Sequence, residues 1–134
     1  MKKSNNTLVL PILTLLAVAV LFAGACKSGP VPLDENMNPS EVFQLAQEAA
    51  IDKRDYETAL HYYRQIGELF PTDEANKIIA DYEIAFLQYK MGNTVEAVEG
   101  FEAILDRYQE EDAGSLPPWP PVLAEKLLAK IEEE

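Results

Sequence analysis

The chain has 134 residues, with 11 basic and 23 acidic side chains, one histidine, one cysteine and a net charge of −12. A length of this order fits one domain, and a lone cysteine rules out an internal disulfide. The acidic balance argues against a nucleic-acid partner, whose phosphates call for a basic face.

Residues 1–25 have the layout of a secretory signal. Lys2 and Lys3 give a positive start, Leu8 to Phe22 is apolar apart from Pro11 and Thr14, and Ala23, Gly24 and Ala25 lead into Cys26. An apolar run of about 15 residues is short for a bilayer span, which takes about 20. Three fates stay open: cleavage before Cys26, an ordinary secretory cut near Ala23 or Ala25, or retention as an uncleaved inner-membrane anchor. Cleavage before Cys26 removes two bases and no acids, leaving 9 bases against 23 acids, a net charge of −14. That charge offers no polybasic grip on anionic lipid.

Small residues before a single Cys resemble the lipobox of bacterial lipoproteins, with Ala23 standing where that family most often has Leu. The resemblance implies a diacylglycerol thioether on Cys26, cleavage before it and acylation of the new amine. No other cofactor is implied. Two or three acyl chains hold a protein to a membrane where one does so only marginally. Lys27 is not the Asp that signals inner-membrane retention in enteric bacteria. By that analogy the periplasmic face of the outer membrane is the expected location.

Residues 26–38 contain Pro30, Pro32 and Gly29 and no apolar periodicity, and so are predicted to be a flexible tether. The folded domain is then 39–134. Asn38-Pro39-Ser40-Glu41 has the order of an N-cap, a first-turn proline and a capping-box acid. Apolar residues recur at three and four from there to Glu111, predicting helices at 39–53, 55–70, 73–91 and 94–110. Pro71-Thr72-Asp73-Glu74 separates the second from the third, and Gly92 ends the third, with Asn93 to Glu96 repeating the cap-and-acid spacing. The third is apolar around most of its circumference and should be central.

A shift of 38 residues lays Ala59 on Ala97, Leu60 on Val98, Tyr63 on Phe101, Ile66 on Ile104 and Phe70 on Tyr108. The run Tyr82-x-Ile84-Ala85-x-x-x-Tyr89-Lys90-Met91-Gly92-Asn93, followed by Ala97-Val98-x-x-Phe101-x-x-Ile104, resembles the tetratricopeptide repeat. Asp55-Tyr56-x-x-Ala59-Leu60-x-x-Tyr63-x-x-Ile66, closing on Pro71, resembles its second half. Gln47, Asp81 and Gln109 depart from the pattern. The 38-residue spacing is similar to that of periplasmic tetratricopeptide lipoproteins of the BamD and YbgF types. The implied fold is all-α: two repeat hairpins forming a fragment of a right-handed solenoid, sealed by a C-terminal capping helix at about 120–133. Trp119 is placed to wedge under that helix, after the stiff Pro117-Pro118 and before Pro120-Pro121. The final Glu132-Glu133-Glu134 is expected to fray.

No catalytic constellation is visible. His61 stands alone among Leu60, Tyr62 and Tyr63, and Glu110-Glu111-Asp112 lacks the spacing of a calcium loop. Neither a phosphate loop nor an activated-serine motif occurs, so the chain reads as non-enzymatic and without a metal.

What remains is a surface. In the repeat family the first helix of each hairpin lines the concave face, which here implies Gln44, Glu48, Ile51 and Asp52, then Ile79, Tyr82, Phe86, Tyr89 and Lys90. This face is either open or covered by the last helix. The expected function is a membrane-anchored adaptor that binds other envelope proteins or peptides, with outer-membrane assembly as a narrower version. Two alternatives stand beside it. One is a ligand-binding or transport accessory protein with an apolar pocket between the second hairpin and the last helix. The other is a subunit of a homo-oligomer.

Overall fold

The computed structural model describes residues 29–34, 36–110 and 113–134. The leader, Cys26 with its expected lipid, and the start of the tether lie outside them. The described residues form α1 (Pro39–Gln47), α2 (Tyr56–Leu69), α3 (Glu74–Met91), α4 (Thr94–Arg107) and α5 (Trp119–Glu133), with no strand. None of these helices is long and apolar enough to cross a membrane. Sequential helices pack on one another, and α5 reaches back to touch α3 as well as α4. The protein is thus an all-helical, tetratricopeptide-like repeat of two hairpins with a fifth helix laid over the second.

Local chemistry sets the helix starts. The Asn38 side chain accepts from the Glu41 N–H at 3.2 Å while Glu41 accepts from the Asn38 N–H at 2.8 Å, a closed capping box. Asp55 and Asp73 cap α2 and α3 by accepting from the N–H groups of Thr58 and Asn76. These bonds, the side-chain one from Asn76 foremost, hold the Asp73 carboxyl below its usual range. Gly92 closes α3 in the left-handed conformation, φ 81°, and the Asn93 N–H reaches back to the Gln88 carbonyl at 3.0 Å. Asn93 does not cap α4 through its side chain; its amide donates instead to Gln88 Oε1 at 2.7 Å.

The first helix ends differently from the plain helix predicted to residue 53. Past Gln47 the coil widens into a π turn, Glu48–Asp52, in which the Lys53 N–H bonds to the Glu48 carbonyl. The chain then reverses through Arg54, a non-glycine residue at φ 52°. The fourth helix also ends earlier than predicted, at Arg107, where the Tyr108 hydroxyl donates to the Pro117 carbonyl and binds the loop leading to α5.

Two apolar clusters share α3. Val42, Ala46, Ala59, Leu60, Tyr63 and Ile66 pack with Ala80 and Leu87, while Ile78, Tyr82 and Ala85 pack with Ala97, Phe101, Ile104 and Ala124. The helix predicted to be central therefore lies between the two clusters, with α2 on one side and α4 on the other. The repeat-related pairs Ala59/Ala97, Tyr63/Phe101 and Ile66/Ile104 are all buried. Gly100 adds a close approach between α3 and α4, since a Cβ there would stand 2.8 Å from the Ala85 Cβ.

The segment read as a tether is fastened over part of its length. The Tyr62 hydroxyl accepts from the Val31 N–H at 2.7 Å and lies 3.4 Å from the Val31 carbonyl, while Leu33 and Met37 pack against the first cluster.

Candidate functional site

The face expected on α1 and α3 divides in two. Tyr82 is only 8% exposed, because the Trp119 indole stands against it at 5.0 Å between centroids, edge to face. About two turns along α3, the Tyr89 hydroxyl donates to Glu134 Oε1 at 2.9 Å, and Lys130 Nζ lies 5.3 Å from the Tyr89 ring centre. Lys130 and Glu134 are 3.8 Å apart, so the C-terminus predicted to fray is tied to α3. The last helix thus takes up Tyr82 and Tyr89.

Ile79, Phe86 and Lys90 remain on the open side. Phe86 and Lys90 meet Ile51, Arg54 and Tyr56 around a hollow of about 260 Å³, and Ile51 is 72% exposed at its lip. The reversal at Arg54 and the π turn before it carry Ile51 to this place. Gln44 and Gln47 on α1, with Glu48, Ile51 and Asp52 of the π turn, line a second shallow hollow of about 310 Å³. Glu48 pairs with Lys53 at 2.9 Å in an exposed contact worth little to stability. Ile51 belongs to both hollows and so joins Gln44, Glu48 and Asp52 to Phe86 and Lys90, with Ile79 on the same side of α3 as the latter pair.

Glu83 belongs with these residues and was not expected there. It sits four residues after Ile79 and three before Phe86, hence on the same side of α3. It is half-buried, and among the described residues no hydrogen bond or ion pair engages its carboxylate. Burial pushes its carboxyl up from the ordinary value of 4.5. Its charge in turn reaches Tyr63 and Tyr82, whose hydroxyls burial has already pushed up. Tyr63 also packs on Phe43 of α1, with ring centroids 5.8 Å apart.

A separate groove of about 580 Å³ runs along α3 and α4. Ile78, Ile84, Ala85 and Ile104 contribute its apolar part, and Glu74, Asp81, Glu96, Asp106 and Glu110 bring carboxylates, with Lys77 and Arg107 between them. No residue of α5 lines it, so it differs in place and polarity from the apolar pocket that a ligand-binding protein of the kind considered above would need. Lys77 and Arg107 are engaged by Glu74 and Glu110. Among the described residues no cluster of three or more His, Cys, Asp or Glu side chains is arranged to hold a metal ion. His61 lies exposed on α2 with its ring 5.7 Å from that of Tyr62.

Residues 80–110 match the tetratricopeptide repeat. The match covers the last three turns of α3, all of α4 and the turn after it, which is the hairpin whose motif is most complete. An uncharacterized protein of Treponema pallidum (strain Nichols) is 30% identical over 118 residues, covering 87% of this chain and 46% of that protein. The chain therefore spans about half the length of that relative. No solved structure matches. Tetratricopeptide repeats are typically protein-interaction modules.

Proposed function

We propose that this chain is a lipid-anchored adaptor of the bacterial envelope, binding a segment of another protein along the strip formed by α1 and α3. The observation that carries the reading is the hollow joining Ile51 to Phe86 and Lys90, where Ile51 is exposed and Phe86 partly so, while Tyr82 is covered by Trp119 and Tyr89 is engaged by α5. The repeat match supports a protein-binding role for the fold. The anchor rests on the order of Lys2, Lys3, the apolar run and the small residues before Cys26. Attachment at Cys26 would keep the domain close to its membrane, because the chain is fastened again at Val31 and can reach at most about 18 Å between the two. A place on the periplasmic face of the outer membrane, and a part in assembling proteins there, are the narrowest forms of this proposal.

Two experiments test the two halves. Mass spectrometry of the mature protein should find a diacylglycerol-modified Cys26 at the N-terminus; an unmodified chain cut elsewhere removes the anchor. Crosslinked pull-down from intact cells should recover partners with the wild type and lose them with an Ile51, Phe86 and Lys90 triple alanine variant. Equal recovery by both removes the strip from the account.

A further inference from the structure

The open strip of α3 carries one group that the fold does not explain. Ile79, Glu83, Phe86 and Lys90 follow one another along the helix, and three of the four suit an interaction face. Glu83 does not suit a resting protein. Its carboxylate is half-buried beside Tyr63 and Tyr82, without a basic side chain or an N–H bonded to it among the described residues. Removing a carboxylate from water without a partner is costly, and a merely structural position here would be better filled by Gln or Leu. Several other carboxylates on the first hairpin and at the start of α3 are employed: Glu41 in a cap, Glu48 with Lys53, Asp73 in a cap and Glu74 with Lys77.

We infer that Glu83 is the receptor for a lysine or arginine side chain of the bound segment, set beside the Ile51–Phe86 hollow that takes an adjacent apolar side chain. This inference rests on the strip being the binding face. At 1.5 Å rise per residue, Glu83 and Phe86 are about 4.5 Å apart along α3, so the segment must present its basic and apolar groups within about a helical turn of each other. Lys90 stands about 10 Å beyond Glu83 on the same side and repels a second cation there, which fixes the direction in which the segment lies. The charge of the whole chain agrees. At −12, it attracts a basic segment and disfavours a second copy of itself as the occupant. On binding, a guanidinium or ammonium would donate to the Glu83 carboxylate in a partly desolvated setting, where such a bond is stronger than on an open surface.

The test uses the full-length chain in mild detergent micelles and a phage-displayed library of random 12-residue peptides, panned in parallel on wild type, Glu83→Gln and Phe86→Ala. Wild type should enrich peptides with Lys or Arg within four residues of Leu, Ile or Phe. Glu83→Gln, which keeps the shape and removes the charge, should enrich the apolar residue alone. A selected peptide measured by fluorescence anisotropy should bind Glu83→Gln about tenfold more weakly. Replacing its basic residue with norleucine should weaken binding to wild type and leave binding to Glu83→Gln nearly unchanged. The same consensus from wild type and Glu83→Gln, or a wild-type consensus without a basic residue, overturns the role of Glu83 and leaves the strip standing. No enriched peptide, or peptides that bind Phe86→Ala as well as wild type, overturns the strip itself and Glu83 with it. Circular dichroism of each variant separates these results from a failure to fold.

Discussion

The indole of Trp119 meets the ring of Tyr82 edge to face, with centroids 5.0 Å apart and planes at 85°. This contact fastens the start of α5 to the middle of α3 and covers Tyr82, while Phe86, stacked on Tyr82 with centroids 6.3 Å apart, stays partly exposed. Trp119→Ala should therefore loosen α5 and cost about 3 kcal/mol, at the low end for an aromatic truncation because the indole is only half-buried. Urea denaturation followed by circular dichroism measures the loss. Trp119→Phe, which keeps a ring against Tyr82, should lose less than half as much.

The close approach of Gly100 to Ala85 predicts opposite outcomes for two glycines. At Gly100 a new methyl meets the Ala85 Cβ at 2.8 Å, whereas at Gly67 nothing lies within 4 Å. Both glycines are helical, so alanine brings each a propensity gain of about 1 kcal/mol. Gly67→Ala should raise the melting temperature. Gly100→Ala should lower it, since forcing α3 and α4 apart costs about 1–3 kcal/mol and outweighs the gain.

The fastening of Val31 to Tyr62 predicts a local effect. Tyr62→Phe removes the hydroxyl that accepts from the Val31 N–H at 2.7 Å, a net loss of about 1 kcal/mol. Amide exchange at Val31 should quicken several-fold and proteolysis should reach residues 29–37, while α4 and α5 keep their protection. Equal protection of Val31 in both proteins would show that Leu33 and Met37 alone hold the segment.

Much of this architecture is legible in the chain, and the reasons it stops being so are physical. Ala59 and Ala97, Tyr63 and Phe101, and the caps at Asn38, Asp73 and Gly92 are set by neighbours a few residues away or by the repeat, so their spacing reveals them. The role of Gly100 depends on α3 being laid against α4, which no local spacing reveals. Tyr82 and Tyr89 have the spacing of an outward face, and only the path of the C-terminal helix shows that they are covered. Nothing in the residues next to Glu83 marks it, because its desolvated surroundings come from another helix as well as its own. The π turn that presents Ile51 has no signal in residues 48–52 beyond the small Ala49 and Ala50.

Glu83 also predicts a pH dependence of stability. Its folded carboxyl lies above the ordinary value of 4.5, so the folded state holds that proton more tightly than the unfolded state. The resulting stabilisation is fully present below about 4.5 and is lost as pH rises through the folded value. Glu83→Gln should therefore be more stable than wild type at pH 7, with the advantage shrinking toward pH 4. A constant difference across that range would show that burial does not act on this carboxyl.

The proposed binding of partners along Ile51, Glu83 and Phe86 is probed by placing a photoreactive phenylalanine analogue at Phe86 or at exposed Glu102 on α4, in cells that make the protein. Light should yield a discrete crosslinked adduct from position 86 that Glu83→Gln weakens, and none from position 102. The same adduct from both positions, or from 102 alone, would contradict it.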